Sequence, residues 1–201
     1  MGEDERPPCA FSGFWLDKTD DGALILDQTR YLRKLEKLSN DADFANFRSM
    51  RMNLAWLSSS RADCMFEASQ LAQVVAERFK EGKQRVIKMM NKAVDNALRS
   101  SAPISFKKLH ASSLQIIGHS NASFASNADL ASQLGQVAFI EDKRSSAAPI
   151  IFKSRKSKRV ARSAMAAEAI AFSNMFDAAL ALRQEAQLFC WKTCATSSAR
   201  R

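Results

Sequence analysis

The chain reads as an α+β protein: a helical first half entered through a β-hairpin, then three antiparallel strands closed by a long helix. Three observations predict this. Apolar residues recur at spacings of three and four through 47–57, 65–79 and 86–97, the period of amphipathic helices. Strand-like runs follow at 114–120, 133–141 and 148–154, with connections too short for crossover helices, so neighbouring strands must be antiparallel. From Ser163 to about Phe189 the helical period returns.

Each element has a local reason. Over residues 11–28, strand-like runs at 11–16 and 23–26 flank Asp20-Asp21-Gly22, a turn signal. Gln28 or Thr29 then opens a short helix through Tyr31, Leu32, Leu35 and Leu38. The first long helix carries Phe47, Met50, Leu54 and Leu57, and the second Met65, Ala68, Ala72, Val75 and Phe79. The third carries Val86, Met90, Ala93 and Ala97. Ser58-Ser59-Ser60 and Glu81-Gly82 punctuate them, and Asp63 suits the N-cap region of the second. Ser100-Ser101-Ala102-Pro103 marks the change to strands. The last helix shows Met165, Ala169, Phe172, Phe176, Ala179 and Leu182 as its apolar stripe.

At 201 residues the chain is long enough for one or two small domains with their own cores. Its 46% hydrophobic and 25% charged residues exclude compositional disorder. No apolar run reads as long enough to span a bilayer, and the acidic start Met1-Gly2-Glu3-Asp4-Glu5-Arg6 is no secretory signal. Cys9, Cys64, Cys190 and Cys194 are irregularly spaced, as expected of reduced thiols in an intracellular protein, cytoplasmic or nuclear. The net charge of +9 is uneven: 143–162 holds eight Lys and Arg and no Asp or Glu. Such a run can displace counterions from a polyanion, although a solvated loop would look the same.

The segments Leu26–Tyr31, Leu54–Leu57, Arg61–Cys64, Ser120–Asn127 and 153–168, in that order, resemble stretches of the Pol polyprotein of copia-like retrotransposons. Leu26-Asp27-Gln28-Thr29-Arg30-Tyr31 is similar to the Leu-x-Gln-x-x-Tyr that follows the polymerase palm there. Leu54-Ala55-Trp56-Leu57 and Arg61-Ala62-Asp63-Cys64 resemble Leu-x-Trp/Tyr-Leu and Thr-Arg-Pro-Asp-Ile, with Ala62 for Pro and Cys64 for Ile. Ser120-Asn121-Ala122-Ser123-Phe124-Ala125-Ser126-Asn127 is similar to Ser-Asp-Ala-Ser-Phe-Ala-x-Asn. Residues 153–168 are similar to Lys-Ser-x-Lys-Ser-x-x-Val-x-Arg-Ser…Ala-Glu. The resemblance implies a reverse-transcriptase C-terminal segment over 11–99 and a linker over 100–112. After these it implies the first half of a ribonuclease H-like fold over 113–189; the tail over 190–201 departs from the family and reads as disordered.

The resemblance also marks site residues. Ribonuclease H chemistry uses two magnesium ions held by carboxylates, which activate water for in-line attack at phosphorus. Asn121 stands where the family has a metal-binding Asp, and a carboxamide brings no charge. Glu168 stands at the second ligand, a relic on the edge of the helical stripe and facing the sheet. The later ligands have no counterpart before Arg201. The expectation is an inactive chain that binds no magnesium productively. Lys153, Arg155, Lys156, Lys158, Arg159 and Arg162 would lie near the groove for an RNA–DNA hybrid and contact phosphates without reading sequence. Partners implied are such nucleic acid and other Pol segments, with no membrane. Two rival readings stand beside the retrotransposon fragment: a non-catalytic nucleic-acid-binding module, and a pseudogene product without function.

Other chemistry-bearing residues read as structural. Asp20-Asp21 lacks the Tyr-x-Asp-Asp context of a polymerase and reads as a turn. His110 and His119 lack metal-ligand spacing, and Cys190 with Cys194 is too small a set for a soft metal. Asp177 reads as solvated.

Overall fold

The computed structural model describes residues 9–11, 13–99, 103–110, 113–143 and 146–198, with Phe11 and 187–198 as backbone only. It is α+β with antiparallel sheets, and the chain divides into two compact units, 1–108 and 109–201.

Unit one holds a four-stranded antiparallel sheet in the order β1 (Cys9–Phe11), β2 (Phe14–Lys18), β3 (Leu24–Asp27), β4 (Ile104–Phe106). The run read as one strand over 11–16 folds back at Gly13, pairing Cys9 with Leu16. Gly13 has φ +83°, and a Cβ there would meet Trp56 Nε1 at 3.3 Å, so conformation and space both favour glycine. The Asp20–Gly22 turn is present, with Gly22 at φ +81°. Strand β4 falls inside the stretch read as linker and pairs Phe106 with Leu24. No periodicity announces a strand of three residues.

The helices of unit one form its core. Helix α1 (Phe44–Leu57) buries Phe47, Met50, Leu54 and Leu57, the four residues its periodicity names. Asp43 starts it with a reciprocal cap: its carboxylate accepts from Asn46 N–H at 2.8 Å and the Asn46 side chain accepts from Asp43 N–H. Helix α4 (Lys83–Arg99) buries Val86, Met90, Ala93 and Ala97 as read, and Ile87 and Val94 as well. The single helix read over 65–79 is instead α2 (Met65–Ala72) and α3 (Ala76–Glu81). Val75 between them is extended, at φ −92° and ψ 169°. Two adjacent β-branched valines weaken the helix, and Arg51 Nη1 donates to the Val74 carbonyl at 3.0 Å. The break buries Val74 while leaving Val75 half in water. The short helix after Gln28 is one 3-10 stretch, Thr29–Lys34, and ends before Leu35.

Unit two is a three-stranded antiparallel sheet with one helix: β5 (Gln115–Ser123), β6 (Gln133–Glu141), β7 (Ala147–Lys156) and α5 (Ala164–Ser198). Sheet order is β5-β6-β7, and α5 packs mainly over β5 with a lesser contact to β6. The helix faces the sheet with a different stripe from the one its bulky residues suggest. Ala167, Ala171 and Met175 are buried, whereas Met165, Phe172 and Phe176 are 83%, 65% and 54% exposed. Close packing is the reason. A Cβ on Gly118 of β5 would lie 3.1 Å from Met175 Cγ, and Gln136 donates to the Ala171 carbonyl at 3.3 Å. Phenylalanines on that face would hold the helix off the strands.

Helix α5 runs through Ser198, into the stretch read as a disordered tail. Ala, Leu, Gln, Glu and Arg fill 178–188 with no Gly or Pro, so nothing local stops it. Its segment Ala164–Ala186 is long and apolar enough to cross a membrane by length and composition, where the sequence reading found no such run. Alanine supplies much of that apolarity, and Glu168, Asp177, Arg183 and Glu185 interrupt it.

Candidate functional site

The geometry of the basic run starts from its turn. Strand β7 ends at Lys156, and the next residue, Ser157, is buried. Its N–H donates to the Ser132 carbonyl at 2.7 Å. Its hydroxyl accepts from Arg159 N–H at 3.1 Å and donates to the Arg159 carbonyl at 2.8 Å. This pins a tight turn over 157–159. Ser163 then starts α5, its hydroxyl accepting from Ala166 N–H at 3.1 Å.

The turn and α5 enclose a cleft of about 200 Å³. Arg155, Lys156, Lys158 and Arg159 line it, over a floor of Leu134 and Ile170, with the Asn174 amide on the helix side. Lys156 is ion-paired with Asp129, whose carboxyl that hydrogen bond holds below the usual range. Among the described residues no ion pair engages Arg155, Lys158 or Arg159. Three cations therefore face one small opening, with an amide donor beside them. Lys153 and Arg162, both exposed, flank the cleft without lining it.

The loop after β5 braces this site. Asn127, buried, donates to the Ala131 carbonyl at 2.9 Å and to Gln133 Oε1 at 3.4 Å. Ser132 accepts from Ala125 N–H through its hydroxyl at 3.4 Å, while its carbonyl holds Ser157. Ala125 and Leu130 carry positive φ, 49° and 60°, which that network holds in place. Sequence reading missed Ser157 and Asn174 as lining of the cleft, and Asp129 and Ser132 as the residues that hold Lys156 and Ser157 in place. They are scattered over 46 positions, and no linear pattern joins them to the basic run.

The two residues marked as metal ligands are not brought to one face. Gly118 faces Met175 of α5, so strand alternation turns Ser120 and Ala122 toward the helix and Asn121 to the other side. Asn121 is exposed and pairs across the ladder with Gly135. Glu168 is exposed too, about 100° around the helix from the buried Ala167, and does not face the sheet as expected. One carboxylate and one carboxamide on different surfaces do not fit a two-magnesium centre, which needs bridging anionic oxygens. Among the described residues, no group of three or more His, Cys, Asp or Glu is arranged to hold a metal.

The remaining candidates have structural surroundings. Asp21 accepts from the Thr19 hydroxyl and from Ala23 N–H, and its carboxyl is held below the usual range chiefly by the threonine. His110 N–H donates to Asp142 at 3.0 Å, and the exposed His119 sets its ring edge against Phe139. Asp177 is exposed. Burial pushes the Cys64 thiol up to about 11, so it is no nucleophile at neutral pH. The Cys190 and Cys194 side chains lie outside the described residues.

The motifs in unit one meet each other. Gln28, buried, accepts from Trp56 Nε1 at 3.2 Å and donates to the Leu57 carbonyl at 3.1 Å, its amide oriented by those partners. Tyr31 donates to Asn53 Oδ1 at 3.0 Å. No protein family, curated protein or solved structure matches this chain.

Proposed function

We propose that the chain is a piece of a copia-like retrotransposon Pol polyprotein. It would comprise the end of the reverse transcriptase and the opening part of a ribonuclease H-like domain, and its second unit would hold nucleic acid without cutting it. The observation that carries the binding reading is the cleft lined by Arg155, Lys158 and Arg159, none of which has an ion-pair partner among the described residues. Phosphate oxygens suit that opening, since guanidinium groups bind them in a fork and an ammonium binds them as a point charge. The order of the motifs, and three antiparallel strands followed by a helix, support the family origin. The separation of Asn121 from Glu168 supports the loss of cleavage.

Titration of a labelled RNA–DNA hybrid against salt tests this. Binding should weaken steeply as salt rises, and Lys158→Gln with Arg159→Gln should reduce the log–log slope by about 2. A slope unchanged by both substitutions would remove the cleft from the interface. Hybrid cleavage with magnesium or manganese should be at background. Turnover abolished by Glu168→Ala would overturn the inactive reading.

A further inference from the structure

One of the four cations lining the basic cleft is already engaged. Lys156 is ion-paired with Asp129 of the loop between β5 and β6, whereas no ion pair engages Arg155, Lys158 or Arg159 among the described residues. The pair is not freely solvated: its two side chains are 34% and 37% exposed. The carboxylate is also held from behind. Its Oδ2 takes the Lys156 ammonium, and its Oδ1 accepts from Ala131 N–H at 3.4 Å. Leu130 N–H donates to the Asn127 carbonyl at 2.8 Å and Asn127 N–H to the Ala131 carbonyl at 3.1 Å, closing the turn that carries Asp129. Gln133, which the Asn127 amide meets, donates to the Ser154 hydroxyl at 2.9 Å and so ties the brace to β7. Leu130, next to Asp129, is left-handed at φ +60° and 77% exposed, an unfavourable place for a branched apolar residue. The brace holds that conformation, and the result is a fixed carboxylate beside a cleft whose described lining contains no Asp or Glu.

We propose that Asp129 is an internal competitor of phosphate, which keeps Lys156 out of the nucleic-acid contact until a ligand takes its place. This rests on the reading of the cleft as a seat for nucleic-acid phosphate. Carboxylate and phosphate offer an ammonium the same thing, anionic oxygen acceptors, and two anions beside one lysine repel each other. A phosphate that enters therefore meets three cations directly, and gains the fourth only by breaking the pair. The Lys156 hydrogen bond holds the Asp129 carboxyl below its usual range, so the competitor is ionised at neutral pH. The rival arrangement, in which Asp129 steadies Lys156 so that it reaches the ligand, predicts the opposite sign when the carboxylate is removed.

The test is titration of a labelled RNA–DNA hybrid with the full chain at several salt concentrations. Asp129→Asn removes the charge and keeps an oxygen for Ala131 N–H. It should tighten binding about two- to fivefold at roughly 0.1 M salt, the worth of one half-exposed ion pair, and steepen the log–log slope by about 0.9, one more phosphate contact. Asp129→Ser, which removes the charge with a different side chain, should do the same, both variants keeping the wild-type far-UV spectrum. The gain should be larger with Lys156 present than in a Lys156→Gln background, since only then is a cation released. Equal gains in the two backgrounds would show that Asp129 acts through its field alone, and would overturn the proposal. Unchanged or weaker binding by Asp129→Asn would overturn it as well. The two readings fail differently. If the cleft is not the seat, Lys158→Gln with Arg159→Gln leaves the slope as it was; if the competitor alone is wrong, that pair still lowers the slope while Asp129→Asn does not raise it.

Discussion

A buried guanidinium must have its N–H donors answered. Arg61 is 5% exposed and donates to both Asp63 oxygens, at 2.8 and 2.6 Å, and to the Ala97 carbonyl near the end of α4. It thereby ties the start of α2 to a helix C-terminus whose carbonyl has no partner within the helix. Arg61→Ala should cost about 2–3 kcal/mol in urea unfolding, below the usual figure for a broken buried pair because Asp63 is half in water. Arg61→Lys should recover only part, since an ammonium cannot make the fork. The Asp63 carboxyl is held below the usual range, first by its hydrogen bonds from Arg61. A lowered folded pKa means that the pair's contribution is complete above the unfolded value, about 3.9, and is lost as pH falls through the folded one. Wild type and Arg61→Ala should therefore converge in stability on acidification, as circular dichroism between pH 5 and pH 2 would read. The Arg-x-Asp pattern was visible in the sequence, but Ala97 as its third partner was not, being 36 residues away.

At the scale of elements, the legible helices were those with one strong stripe. The stripes of α1 and α4 name residues that are buried, although Met52 and Trp56 of α1 and Leu98 of α4 lie outside them and are exposed. Helix α5 has apolar residues around most of its circumference, so period alone could not choose a face. Proximity chose it: the sheet offers Gly118 and Ala138, and the helix answers with Ala167, Ala171 and Met175. Gly118→Val tests this. Valine favours strands, yet here its branches meet Met175, and the expected cost is about 1–3 kcal/mol by thermal unfolding. The loss should shrink in a Met175→Ala background, and an equal loss in both would refute the contact as its cause. The break between α2 and α3 was likewise hidden, since Met65 to Phe79 keeps a plausible helical period across two valines.

At the scale of the molecule, unit one is the better filled. Its core joins seventeen buried residues from Leu35 to Ala97, whereas unit two buries few large side chains. A fragment of residues 1–108 should unfold cooperatively by itself, with a sigmoidal urea transition in near-UV circular dichroism. A gradual, non-cooperative loss of signal would show that its core needs unit two. The sequence by itself determined the class of fold, most element positions and the clustering of positive charge, because these follow from periodicity and composition along a contiguous stretch. Tertiary structure decided which face of α5 meets the sheet, that Asn121 and Glu168 lie on different surfaces, and that Asn174 lines the cleft with Arg155, Lys158 and Arg159 while Asp129 and Ser132 hold Lys156 and Ser157. Those outcomes depend on strand register and close packing between residues far apart in the chain, and local periodicity carries no record of either.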